Sequence, residues 1–228
     1  VTIGSNVTNI ENLAFYNNQL TSINIPDSVT KIGIYAFADN SLNSVTIPNY
    51  VTTIGDYAFT ENSLNSVIIG NSVTNIGYRA FFNNQLTSIT IGSNVTNIGE
   101  GAFISDASSI YLKINSNIAL ITNDVINKGN ISTLNINGQS NSTIPEEQFM
   151  YGNLTTLVLG SNVTTIGEYA FYNCKLTNIT LPNSLVTIGG NAFALNNLSA
   201  NVNIPNSVTR IGNLAFADNK LTSVTIGS

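Results

Sequence analysis

The side chains able to do chemistry are few and scattered. Twelve Asp and Glu and seven Lys and Arg are spread over 228 residues, with one cysteine, Cys174, and no histidine or tryptophan. Without histidine, neither a Ser–His–acid nor a Cys–His nucleophilic unit can be assembled. Metal sets that use histidine fall with it, and a lone cysteine makes no thiolate site. Carboxylates remain. A glycosidase needs two of them about 5–9.5 Å apart across one cleft, a separation that strands about 4.8 Å apart could provide. Glu11, Asp27, Asp39, Asp56, Glu61, Glu100, Asp106, Asp124, Glu168 and Asp218 are strung along the chain, and Glu146-Glu147 is the single adjacent pair. That pair sits in an irregular stretch and reads as a solvated turn. No dense oxygen-ligand loop of the EF-hand type is present. The glycines lack the spacing that cradles phosphate. The sequence argues against an enzyme, a metal and a cofactor.

Charge narrows the partners. Only 8% of residues are charged and the formal net charge is −5, so the basic stripe that a phosphate backbone requires is missing. No apolar run approaches the roughly 20 residues that span a bilayer. Neither nucleic acid nor direct membrane insertion is expected. One cysteine cannot form an intramolecular disulfide, a usage compatible with an exported bacterial protein. Asn-x-Ser/Thr sequons start at Asn6, Asn94, Asn130, Asn141, Asn153, Asn162, Asn178 and Asn197. In a chain this rich in Asn and Thr they follow from the repeat grammar, and they matter only in a glycosylating pathway.

That grammar is what must position every side chain named so far. The phrase Ser28 to Phe37 returns as Ser72 to Phe81 and as Ser207 to Phe216. Its last aliphatic residue falls at Ile3, Ile25, Ile47, Ile69, Ile91, Ile114, Ile136, Leu159, Leu181, Ile204 and Ile226, with every spacing 22 or 23. A fixed period of this length marks a chain that grows by stacking short units. The register predicts one solenoid over residues 1–228. Both ends fall inside strand phrases without a polar cap, and the chain is therefore expected to be a fragment of a longer protein.

Within one period, Val45 and Ile47 flank an outward Thr46, the alternation of a half-buried strand. Rungs are expected near residues 24, 46, 68, 90, 113, 135, 158, 180, 203 and 225. Val29 and Ile32 bracket a second short extended or turn segment. Gly33 ends it, and glycine recurs at 55, 77, 99, 167, 189 and 212, which suggests a tight corner with positive φ. Ala36-Phe37 supplies a small residue for close approach and a large one to fill the interior. Asn18, Asn40, Asn62, Asn84, Asn196 and Asn219 recur before the Leu, where their amides can satisfy turn groups. Cys174 occupies the same column as a small substitute. Across 104–147 the letters decay, but Ile118, Ile121, Val125, Ile126, Ile131, Leu134 and Ile136 keep an apolar framework, as expected of a degenerate stretch of the same solenoid.

These phrases carry a resemblance. Leu20-x-x-Ile23-x-Ile25 and Leu86-x-x-Ile89-x-Ile91 resemble the leucine-rich-repeat core. Leu181 to Gly189, followed by Ala192-Phe193, resembles the BspA-like class of leucine-rich repeats, and the likeness covers essentially the whole chain. It implies a β-rich, right-handed leucine-rich-repeat solenoid of about ten 22/23-residue coils with a parallel sheet on one face. The main rival is another parallel β-solenoid. Family members are usually secreted or surface-anchored, and many are linked to adhesion. The resemblance thus implies an extracellular or cell-surface location and an extracellular protein or host/matrix component as partner. One departure stands out: the ninth position holds Ser28, Tyr50, Ser72, Asn94, Asn162, Ser184 and Ser207, which puts the interior Asn ladder of ordinary leucine-rich repeats in doubt.

Between the strand aliphatics, the outward positions are mostly Ser, Thr and Asn. Tyr111 and Lys113 differ, placing an aromatic ring beside the only charge of that face, and they are the candidate protein-binding residues. Ile68 and Val158 read as isolated apolar spots. A second candidate surface is the column just after Phe, with Tyr16, Phe82, Ile104, Met150 and Tyr172; its favoured role is to cap the core edge. Two functional readings remain open. One is a noncatalytic extracellular protein-binding module of a bacterial adhesin or surface receptor. The other is a structural spacer that presents another domain away from the cell.

Overall fold

The computed structural model describes residues 1–228 except Asp106, Gln139, Ser140, Asn141, Ala200 and Ser228. The sequon at Asn141 and the carboxylate of Asp106 therefore lie outside the described residues. The chain is a β-solenoid of about ten parallel-sheet coils, which fall into two compact units. One unit comprises Val1–Ile110 with Leu120–Asn127; the other comprises Tyr111–Ala119 with Lys128–Ser228.

In the first unit the front strands are Ser44–Thr46, Ser66–Ile68 and Ser88–Ile91. They run parallel, with Val45, Val67 and Ile89 in register and all buried. An isolated bridge from Thr2 to Asn24 starts the same face. The segment expected around Val29 and Ile32 is a second parallel sheet of two-residue strands: Asn9–Ile10, Lys31–Ile32, Thr53–Ile54, Asn75–Ile76 and Asn97–Ile98. Between the sheets Phe15, Phe37, Phe59, Phe81 and Phe103 stack face on face, with centroids 5.1–5.4 Å apart.

The second unit repeats this plan. Ile110–Ile114, all but its first residue in this unit, neighbours Ile131–Ile136, which pairs with Thr156–Leu159. Val202–Ile204 pairs with Val224–Ile226. The rear sheet is Ser142–Ile144, Val163–Ile166, Thr187–Ile188 and Arg210–Ile211. Phe149, Phe171, Phe193 and Phe216 form its ring stack at 5.4–5.8 Å. Nine of the ten expected rungs carry strand pairing. The residues around Thr180 form no strand, although Leu176 and Leu181 remain buried. In the decayed stretch two 3-10 turns, Ile118–Leu120 and Lys128–Asn130, replace regular coil segments. The apolar framework nonetheless stays inside, with Ile118, Ile121, Val125, Ile126 and Ile131 all buried.

One expectation about the corner is corrected. The recurring glycines do not take positive φ, and Gly101 is the only described glycine that does. Their reason is proximity. A Cβ on Gly55 would lie 2.6 Å from the carbonyl carbon of Gly33, and one on Gly77 would lie 2.5 Å from the amide of Asp56. Successive coils touch backbone to backbone there, leaving no room for a side chain. Positive φ falls instead on side-chain-bearing residues two places later, such as Tyr35, Tyr57 and Arg79, and again at Asp39, Glu61 and Asn83. Such conformations cost about 1–3 kcal/mol unless the surroundings enforce them. Ladder bonds enforce them here: the amides of Tyr35, Tyr57 and Arg79 donate to the carbonyls of Asp56, Tyr78 and Glu100 at 2.9–3.0 Å.

Candidate functional site

On the front face of the second unit, the alternation of Ile110–Ile114 sends Tyr111 and Lys113 outward while Ile110, Leu112 and Ile114 are buried. Tyr111 is 37% exposed. Its hydroxyl accepts a hydrogen bond from Asn135 Nδ2 at 3.5 Å on the neighbouring strand. The Oδ1 atom of Asn135 is buried and has no partner among the described residues. Asn135 pairs in register with Val158, which is 46% exposed. The structure thus joins Tyr111 through Asn135 to Val158, a spot that the sequence reading kept apart. Ile68 belongs to the first unit.

Among the described residues, no three His, Cys, Asp or Glu side chains are grouped to hold a metal. Glu146 and Glu147 lie in the turn that opens the irregular coil, Glu147 with positive φ. Cys174 is buried, its thiol donating to the Phe149 carbonyl at 3.2 Å, and burial pushes its pKa up to about 11. A buried thiol of this kind is inert rather than nucleophilic. It occupies one place in an asparagine column that makes dense internal contacts. Asn62 Oδ1 accepts the Leu42 amide at 3.0 Å, and its Nδ2 donates to the carbonyls of Phe37, Phe59 and Thr60. At the ninth position, Ser28, Ser184 and Ser207 donate to the preceding coil's carbonyls at 2.6–2.7 Å.

Sequence reasoning missed an aromatic edge in the first unit. Tyr35 and Tyr57 stack at 4.6 Å with planes 3° apart. Tyr16 meets Tyr35 edge-on at 6.2 Å, and Tyr78 meets Tyr57 at 5.3 Å. The Arg79 guanidinium lies 5.0 Å from the Tyr78 ring centre and 4.8 Å from that of Phe82. A hydrogen bond with the Asp39 carboxylate holds the Tyr16 pKa above its ordinary value; burial does the same for Tyr57. The available signal was a tyrosine two places after the corner glycine in two successive periods, Gly33-x-Tyr35 and Gly55-x-Tyr57. The column singled out instead, just after Phe, is split. Ala38 and Thr60 are buried and cap the core edge, while Tyr16 is 41% exposed.

The family model for the BspA type leucine-rich-repeat region matches residues 1–43, 30–151 and 126–228, with six copies in all. The chain belongs to that family. Similar solved structures include a leucine-rich repeat protein from Bacteroides ovatus, at 26% identity over 95% of this BspA-type chain and 69% of that one, with a TM-score of 0.47. The pneumococcal vaccine antigen PcpA is 23% identical, with a TM-score of 0.44; the match covers all of this chain and 62% of PcpA. A leucine-rich cell surface protein from Faecalibacterium prausnitzii is 22% identical over the whole of this chain and 87% of that one, with a TM-score of 0.34. No curated protein matches the chain.

Proposed function

We propose that this BspA-type chain is a noncatalytic extracellular protein-binding module of a bacterial adhesin or surface receptor. The observation that carries the reading is the front-face patch. Tyr111, Lys113 and Val158, with Asn135 between the ring and the apolar spot, put a ring, a cation and an apolar surface on the front face of a unit whose other outward positions are short polar side chains. An aromatic anchor with polar neighbours is the usual composition of an interface centre. Fold alone chooses no ligand, so the test is a panel. The chain is immobilised and probed with extracellular-matrix proteins and with surface proteins of neighbouring cells. Selective binding that front-face substitutions abolish supports the module; no selective binding by the folded chain counts against it.

The mostly Ser, Thr and Asn lattice of the other rungs favours a second reading, a spacer that holds another domain away from the cell. Replacing the chain with an unrelated rigid solenoid of equal length separates the two. Retained attachment supports the spacer, and lost attachment with normal display supports recognition.

A further inference from the structure

Four of the five prolines occupy one place in the repeat, directly after the last inward aliphatic residue of a front rung: Pro26, Pro48, Pro182 and Pro205. Front-sheet pairing fails at these places. The rung before Pro26 meets the preceding coil through a single bridge, Thr2 to Asn24. Those before Pro48, Pro182 and Pro205 pair with no preceding rung among the described residues. Where Gly or Asn stands instead, at Gly70, Gly92, Asn137, Gly160 and Gly227, the rung pairs with its predecessor.

Two physical causes act together. The amides of Asn137, Gly160 and Gly227 donate to the carbonyls of Ile114, Ile136 and Ile204 at 2.7–2.9 Å, and proline has no N–H to give. Space is the second cause. A Cβ on Gly70 or Gly92 would overlap the carbonyl oxygen of Pro48 or Gly70 in the coil before, so a proline ring fits only where the coils stand apart.

The seam before Pro182 has the least else to hold it. At the seams of Pro48 and Pro205, Asn40 and Asn196 accept the amides of Leu20 and Leu176 and donate to the carbonyls of Phe15 and Phe171 in the coil before. At the Pro182 seam that place is taken by Cys174, with one bond to the Phe149 carbonyl. The Lys175 amide adds a bond to the Leu154 carbonyl at 2.9 Å. Across the seam the Phe149 and Phe171 rings are 5.8 Å apart, the widest of the Phe stacks described. Leu159 and Ile179 are half-buried there, whereas their counterparts at a closed seam, Ile69 and Ile89, are buried. Behind them Val163–Ile166 and Thr187–Ile188 stay paired, and the Gly189 amide donates to the Ile166 carbonyl at 2.8 Å.

We propose that the coil at 171–182 is a built-in joint: Pro182 and Cys174 let the second unit open along its front, between Thr156–Leu159 and residues 178–181, while the rear ladder stays closed as the hinge. Opening uncovers Leu157, Leu159 and Ile179 and brings Cys174 to solvent. The joint is independent of the front-face patch and of any ligand.

Cys174 is the only thiol, and it reports the opening. The whole chain is treated with excess Ellman's reagent at pH 8 over a series of low urea concentrations. The thiol should react at a rate that changes little with urea, because a joint exposes far less surface than unfolding does. Pro182→Gly supplies the donor and removes the ring, and it should slow the reaction about tenfold. Pro205→Gly closes the next seam and should leave the rate unchanged. Hydrogen exchange of the parent chain needs no variant. The Lys175 amide, bonded across the joint, should exchange ahead of the Gly189 amide at the hinge and of the Asn197 amide, which donates to Leu176 across the next seam. A thiol reaction that follows global unfolding across the urea series overturns the proposal. So does an unchanged rate in Pro182→Gly, an equal slowing in Pro205→Gly, or exchange of the Lys175 and Gly189 amides at one common rate.

Discussion

Asn62 shows how much one side chain does in each coil. Its carbonyl oxygen takes the amide of Leu42 in the preceding coil, and its NH2 group serves three carbonyls of two coils. An aspartate in its place would keep the shape and turn the donor into an acceptor. Asn62→Asp leaves buried carbonyls facing a carboxylate, and we expect a loss of about 3 kcal/mol or more, read as a lowered urea midpoint. The converse holds at Cys174, whose thiol has one proton to give and gives it to Phe149. An Asn there can restore the donor to Phe171 and the acceptor for Leu154, so Cys174→Asn should stabilise by about 1–2 kcal/mol. The two proteins should also differ with pH. Burial raises the thiol from 9.0 to about 11. Below pH 9 the folded and unfolded thiols are both protonated and its contribution is fully present. Between 9 and 11 the unfolded thiol ionises first, so stability falls by up to roughly 3 kcal/mol. Urea titrations at pH 8 and 11 should show a loss in the parent that exceeds that of Cys174→Asn by this amount.

At the scale of the coil, what separates a corner from a strand is the distance to the next coil. Gly55→Ala would place a methyl 2.6 Å from the backbone of Gly33, and the coils must part to admit it. We expect a loss of roughly 1–3 kcal/mol. Gly4→Ala meets nothing within 4 Å and should cost nothing measurable, so paired melting curves check the contrast. The period made this column visible in the sequence but not its cause. A recurring glycine signals either a φ that others avoid or a space that others overfill, and only the neighbouring coil tells which. The asparagine column and the apolar framework of the decayed stretch were readable because each depends on spacing within the chain. The left-handed turns were not. Beside Asn and Asp, which tolerate that region, they carry Tyr, Leu, Arg and Glu, residues that no turn rule assigns there, because inter-coil ladder bonds rather than side-chain preference impose the conformation. For the same reason the tyrosine edge stayed hidden: Tyr16 and Tyr35 belong to different columns and meet only through the stacking of coils. Tyr111 and Lys113 were legible as outward residues, while Asn135 became part of their patch only through the reach of the Tyr111 hydroxyl.

For the molecule as a whole, the residues proposed for binding are not those that hold the fold together. Tyr111→Ala removes a half-exposed ring and no core contact, so it should weaken binding of a front-face partner by roughly 1–3 kcal/mol and leave the melting temperature unchanged. Lys113→Ala should have a smaller effect that shrinks with salt. Titrations at two salt concentrations, with circular dichroism alongside, check both. The left-handed turns carry this separation furthest. Each of five is held by an amide-to-carbonyl bond to the next coil, whatever side chain it bears: Leu at 13, Tyr at 35 and 57, Arg at 79 and Asn at 191. Such a row behaves as a pegboard, with holes drilled by the backbone and pegs free to change. A lineage could then rewrite what the edge displays, coil by coil, without renegotiating the fold beneath, and a protein engineer could do the same with Asn as the blank peg.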